Sequence, residues 1–410
     1  MLWSRKATPT HERTRHAGID LTSSRILGVS VGSGKVRPFV FGGQTEELPL
    51  FIALDRRTPE VGRAGYSLCR KIPHTVCSNF LPDLAQAREW RFGRHVLTPE
   101  PALELALLKI REPILAESET AVLALPAYLA PVQVSRVVAA CAKTKFPLKG
   151  TAVGPLALVA MRAALGSTGK PVTVEEPPPA DWVIRMRRTT EGPGVVVVVD
   201  VDEYALSAVV VAVERDKVRL LSAADWPRFS HKAWKDRLLD SVSDRCVRLC
   251  RRDPRDSADA EQSLFEQLDN ALDRARAGQR VNLTVRTAHW FQDVPLQPEE
   301  FDAHCSVLAR GASESIREML AEVGLPVPPR EIWLTHEANR LPGLYQAIHQ
   351  GSHEGTSLES LPRGAVAHAA AALVPRWLTA ELPRAHLDSV IPLQGVRTDG
   401  VGEKPKTSRR

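Results

Sequence analysis

Two stretches of this chain follow one plan, and their repetition limits what the chain can fold into more than any single motif does. The first reads AGIDLTSSRILGVSV and the second VVVVVDVDEYALSAVVVAVERDKVRLLSA. In each, an apolar strand ends in an aspartate, Asp20 or Asp200, and a short polar turn leads into a second apolar strand, then a further turn and a third strand. β-Branched runs favour extended backbone, and polar turns between them lay the strands side by side. The plan predicts an aspartate-bearing hairpin opening each half of a duplicated domain.

The segment GVSVGSGK, residues 28–35, sits inside the first of these stretches and admits two chemical readings. Gly28, Ser30 and Gly32 meet the G-x-S-x-G pattern of a serine nucleophile elbow, but an elbow needs a helix after its serine, and here the strand-like VRPFVF follows. A Walker loop needs a glycine four residues before its Gly-Lys pair and Ser or Thr after the lysine. This chain has Val29 and Val36 at those places. The glycines are therefore read as a tight turn between strands, with Ser30 in mid-strand. An acyl hydrolase built on Ser30 would also need a nearby histidine and acid, which no arrangement in the sequence nominates.

Between the hairpins, AVLALP reads as a strand, and VQVSRVVAACAKT and VGPLALVAMRAAL as helices. The second half continues with amphipathic helices in WKDRLLDSVSDRCVRLCRR and SLFEQLDNALDRARAG, the strand NLTV, a helix from FDAHCSVLARGASESIREMLAEVG, the strand EIWLTH and a helix near LPGLYQAIHQ. Strands alternating with helices in this order indicate an α/β architecture with mixed sheets. The run Pro177–Pro179 within GSTGKPVTVEEPPPADW excludes a helix and marks a connector between halves.

The net charge of +6 invites a nucleic-acid reading, but its location argues otherwise. Residues 1–16 carry Arg5, Lys6, Arg13 and Arg15 against Glu12, and residues 397–410 carry five basic residues against Asp399 and Glu403. The body between these ends is neutral, so nucleic acid is expected to meet at most the basic tails, and weakly. The six cysteines are too scattered for a disulfide framework. Cys246 and Cys250 are read as packed thiols, and His349 and His353 as surface residues. The first residues lack an apolar signal core, and GVVVVVDVDEYALSAVVVAV is interrupted by Asp200, Asp202 and Glu203 well short of a membrane span. A cytoplasmic protein with no membrane contact is expected.

Taken in order, these segments resemble the nucleotide-binding domain of the seventy-kilodalton heat-shock chaperones, within the actin and sugar-kinase ATPase superfamily. GIDLTSSRILGVSV resembles the family's first phosphate hairpin, usually GIDLGTT, and VVDVDEYALSAVVV the second, usually DLGGGTFDVS. AVLALPAYLAPVQVSRVVAACAKT is similar to the strand and helix around a VPAYF-type motif, and HKAWKDRLLD to a G-G-x-x-F/W-D-x-R-L stretch. IWLTHEANRLPGLYQAI resembles the adenosine motif, and RGAVAHAAAAL the closing helix. The likeness spans about residues 17–375. It implies an actin-like ATPase fold of two duplicated lobes, each a mixed sheet with flanking helices: a basic tail (1–16), a first lobe (17–165), a proline-rich connector (166–193), a second lobe with a helical insertion (194–378) and a C-terminal tail (379–410). HLDSVIPLQGV loosely resembles the family's interdomain linker, and no substrate-binding domain is expected after it.

The departures from the family pattern concern the phosphate and adenosine contacts. Glycine lets backbone N–H groups approach phosphate oxygens closely. Here Thr22 replaces the first hairpin's glycine, and Asp202, Glu203 and Tyr204 replace three glycines of the second. Ser230-His231 and His336-Glu337 stand for two Gly-Gly pairs, the catalytic lysine falls near Phe80, and the metal-linked glutamate falls at Gly154. By resemblance, Asp20, Thr22, Ser23, Asp200, Asp273 and Arg276 would touch a nucleotide if one bound. Asp20 and Asp200 would then hold Mg²⁺ through water, although as bare residues they read as hairpin turn-formers. Because phosphoryl transfer rests on positioning, the expectation is a pseudo-ATPase without a cofactor. It would serve as a binding or scaffold partner, with a full-length heat-shock-chaperone relative as the natural protein partner. The alternative is a divergent ATPase that binds and slowly hydrolyses Mg-ATP.

Overall fold

The structure is a computed structural model in which residues 15–32, 35–42, 45–168, 194–382 and 385–393 are described. The basic N-terminal stretch through residue 14, the expected turn at Ser33 and Gly34, residues 43–44, the expected proline-rich connector from 169 to 193, residues 383–384 and the polar end from 394 lie outside the described residues. What is described is a mixed α/β protein built on two large mixed sheets.

The first sheet has seven strands, of which five form its frame: His16–Leu21, Arg25–Gly32, Lys35–Pro38, Thr120–Leu125 and Leu148–Val153. The first three make an antiparallel meander; the fourth lies parallel to the first on its other side, and the fifth parallel to the fourth. The second sheet has six strands, and its five frame strands are Gly194–Val201, Leu206–Val213, Lys217–Trp226, Glu331–Leu334 and Ser357–Ser360. Its meander and two parallel additions repeat the same order, third-second-first-fourth-fifth, with the same pairing senses.

The opening strand of each sheet is flanked on both sides and covered on both faces, which explains why VVVVV reads as an unbroken apolar run rather than an alternating one. Val196, Val197, Val198 and Val199 are all buried, the even ones in one core and the odd ones in another. On the outer face of the first sheet, Ala17, Ile19 and Leu21 pack with helices Pro99–Glu117 and Pro131–Lys143. On the outer face of the second, Val197 and Val199 pack with helices His231–Cys250, Ala258–Arg276 and Pro298–Val323. Between the sheets lie helices Gly154–Thr168 and Ala365–Leu378, which share a single core with Val122 and Ala124 of one sheet and Val198 and Val209 of the other.

The alanine-rich helix Ala365–Leu378 comes so close to the opening strand that a Cβ added at Gly18 would stand 1.9 Å from the Ala367 carbonyl oxygen. Although it follows the last frame strand of the second sheet, this helix packs on the first. The stretch after it, expected as a tail from residue 379, also differs from the sequence reading: His386–Leu387 extends the first sheet beside Leu148–Val153, and Val390–Pro392 extends the second beside Lys217–Trp226. Leu387, Ile391 and Leu393 are buried in the shared core, so these short strands clip the sheets together. Helix Pro99–Glu117 and strand Leu148–Val153 are elements the sequence reading did not name.

Ser30 lies in mid-strand, buried, with its hydroxyl donating to Glu117 Oε2 at 3.1 Å, and a strand follows it as read. Cys246 and Cys250 share a helix, and the Cys250 thiol donates to the Cys246 carbonyl. Among the described residues, no helix is long and apolar enough to cross a membrane.

Candidate functional site: the cleft between the two hairpins

The opening hairpins of the two sheets meet tip to tip, and one carboxylate makes most of the contacts there. Asp202, in the turn after the strand Gly194–Val201, is buried. Its Oδ2 accepts from the Ser23 backbone N–H at 2.9 Å and from the Tyr128 hydroxyl at 2.6 Å. Its Oδ1 accepts from the backbone N–H groups of Tyr204 at 2.9 Å and Ala205 at 3.0 Å. A carboxylate has about four lone-pair positions, and all are used. The Tyr204 N–H also approaches Ser23 Oγ at 3.1 Å, and the Tyr128 and Tyr204 rings lie 4.9 Å apart over the contact. The Asp202 carbonyl accepts from the N–H of His231, at the start of the helix that Ser230 caps.

Asp20 and Asp200 are strand residues rather than the turn-formers their bare sequence context suggested. Each occupies the penultimate position of its strand, Asp20 opposite Leu27 and Asp200 opposite Ser207, and the turns proper begin at Thr22 and Asp202. The difference follows from register: the hairpins close with Thr22 N–H to the Arg25 carbonyl and Asp202 N–H to the Ala205 carbonyl, two residue pairs beyond each aspartate. Thr22 Oγ1 accepts from the Arg25 N–H, so its side chain serves the turn itself. Burial pushes the Asp20 carboxyl up to about 7; Arg25 beside it works the other way, and Asp200, Glu337 and Asp202 add to the rise. Burial likewise pushes Asp200 up to about 6, against the hydrogen bond it accepts from Thr335 Oγ1 at 2.5 Å.

Above the hairpins opens a cleft of about 760 Å³. Its floor is an ion network spanning both sheets. Arg25, from the first hairpin, pairs with Glu337 and, at 3.2 Å, with Glu47. Arg340 pairs with Glu337 at 3.1 Å, with Asp273 at 3.3 Å and with Asp269. Lys235, buried against the Phe265 ring, pairs with Asp269 at 3.0 Å and Glu203 at 3.4 Å, and the Tyr66 hydroxyl donates to Asp269 at 2.9 Å. Burial opposes charge on Asp269 and Glu337, yet Lys235 and Arg340 hold the first, and Arg25 and Arg340 the second, far below the ordinary carboxylate range. Burial, with Lys235 and Arg340, keeps His231 well below the ordinary imidazole value.

Of the residues expected at a nucleotide, Asp20, Thr22, Ser23 and Asp200 therefore gather at the hairpin tips, and Asp273 lies in the cleft floor tied to Arg340. Arg276 faces elsewhere, over the Tyr345 ring and toward Ser360 Oγ. Phe80 and Gly154 are packed positions, the latter with Val366 where a side chain would extend. The sequence reading did not single out Arg25, Tyr128, Lys235, Asp269 or Arg340. The signal available for them was a set of charges in otherwise apolar helical or strand patterns.

Three hairpin N–H groups that could meet a phosphate, those of Ser23, Tyr204 and Ala205, are committed to Asp202, and carboxylates outnumber cations around them. Like charges at roughly 4 Å repel by about 1 kcal/mol in water and by several times that when partly desolvated. The site and fold together define a mixed α/β protein with two sheets of one topology and a cleft floored by its own ion pairs. No protein-family model matches the chain, and no curated protein matches it.

Proposed function

We propose that the protein is a degenerate relative of the heat-shock-chaperone nucleotide-binding domain, with an actin-like fold of two duplicated lobes, and that it acts as a cytoplasmic pseudo-ATPase whose role is binding or scaffolding. The repeated strand order, the aspartate at the same place in both opening strands and the two helices shared between the sheets support the fold assignment. The observation that carries the functional reading is Asp202, whose carboxylate takes up the hairpin N–H groups of Ser23, Tyr204 and Ala205 that a phosphate would need. A protein partner, with a full-length chaperone relative the first to try, follows from the family resemblance.

A divergent ATPase is the second reading, favoured by the proximity of Asp20 and Asp200, two carboxylates able to orient waters around Mg²⁺. Thermal melting with and without Mg-ATP and Mg-ADP separates the two. A ligand at a hundred times its Kd would stabilise the native state by about 2.7 kcal/mol. The scaffold reading predicts no shift at millimolar nucleotide, and a saturable rise in Tm would establish the ATPase reading instead.

A further inference from the structure

Away from the cleft, a second cavity of about 350 Å³ opens where the C-terminal half of helix Pro298–Val323 faces helix Leu344–Gly351 and the loop 325–330. Its volume falls in the range of small-molecule sites. The floor is aliphatic, formed by Ile316, Ile332 and Ile348, each almost fully buried, with Leu320 beside them. Pro328 and Pro329 make one wall stiff, and Val327 stands at the mouth, 58% exposed.

The polar groups of the walls divide sharply. The hydroxyls of Ser313, Ser352 and Thr356 donate to the carbonyls of Ala347, Ile348 and Pro329, so their protons are committed within the fold. His353 and Arg317 are the exceptions, and Arg317 alone presents a guanidinium. Among the described residues it forms no hydrogen bond or ion pair, although Glu314 lies one helical turn before it on the same helix. A guanidinium presents fixed, paired donors suited to a carboxylate. An aliphatic pocket with one free guanidinium at its rim is complementary to an apolar body carrying one negative charge.

We propose that this groove binds an amphipathic monocarboxylate, its apolar part on Ile316, Ile332 and Ile348 and its carboxylate on Arg317. The chemistry is shared by a free aliphatic acid and by the C-terminus of a peptide ending in an apolar residue. The proposal does not depend on how the cleft is read.

Calorimetric titration of the full chain with octanoate and with 1-octanol tests it, alongside a short peptide with a C-terminal leucine. Octanoate should bind saturably and octanol more weakly. Arg317→Gln should lose about tenfold in octanoate affinity, as expected for a charge-assisted pair, with its octanol binding unchanged. Ala321→Trp, at an exposed helical position lining the groove, should block both. Tighter binding of the peptide than of octanoate would identify a protein tail as the source, and the reverse a free acid. Equal binding of octanoate and octanol, an Arg317→Gln variant indistinguishable from the parent, or no binding of either acid at millimolar concentration would overturn the proposal.

Discussion

Asp202 gathers donors from three separate parts of the chain: Ser23 in the first hairpin, Tyr128 after the strand Thr120–Leu125, and Tyr204 and Ala205 in its own turn. Removing it deprives the Ser23 and Ala205 N–H groups and the Tyr128 hydroxyl of their acceptor in a buried site, each costing on the order of 1 kcal/mol or more, while the Tyr204 N–H keeps Ser23 Oγ. Asp202→Ala is therefore expected to destabilise the protein by about 3 kcal/mol, and Tyr128→Phe by about 1 kcal/mol, measured by urea unfolding. Because both mutations remove the same contact, the double variant should fall short of their sum. Asp20 behaves in the opposite sense. Its folded-state value of about 7 lies above that of an unfolded aspartate, so the native state holds a proton between about pH 4 and 7 that the unfolded chain has released. Its contribution to stability falls as pH rises through that window. Asp20→Asn, which mimics the protonated form, should melt near the parent at pH 5 and above it at pH 8, by an amount on the order of 1–2 kcal/mol. A parent that is the more stable at pH 8 would reverse the sign.

At the scale of elements, the two opening hairpins were legible because their signal is local: a β-branched run, an aspartate, a polar turn and a second run. Amphipathic helices such as Ala258–Arg276 were legible for the same reason, their apolar positions recurring at helical spacing. The clip at His386–Leu387 and Val390–Pro392 was not, since strands of two and three residues show no period, and their burial comes from a core assembled by distant segments. Helix Ala365–Leu378 was recognisable as a helix, but the sheet it packs against was not. The contact that decides it is Gly18, where any side chain would collide with the Ala367 carbonyl and the Ala371 amide. Gly18→Ala changes one methyl group yet must push helix and strand apart, so a loss of about 2 kcal/mol or more is expected in the same unfolding assay. A neutral result would mean that the helix does not sit so close to the strand.

Across the whole molecule, polar contacts tie the first half of the chain to the second: Arg25 reaches Glu337, Arg70 reaches Asp236 and Glu261, and Gln262 bonds the backbone of Tyr66 and Arg70. The resemblance marks positions where the chaperone pattern carries glycine but not what the residues there do, because the partners of Asp202 and Glu337 are far away along the chain. In sequence Asp202 and Glu203 read only as replacements for phosphate-loop glycines of the resembled family; in three dimensions one is the pin between the hairpins and the other a partner for Lys235. Amide hydrogen exchange at Ser23, Tyr204 and Ala205 reports on that pin most directly. The account predicts slow exchange in the parent without nucleotide, no further slowing in millimolar Mg-ATP, and marked acceleration in Asp202→Ala. Added protection of these amides by Mg-ATP in the parent, or exchange unaffected by Asp202→Ala, would contradict it.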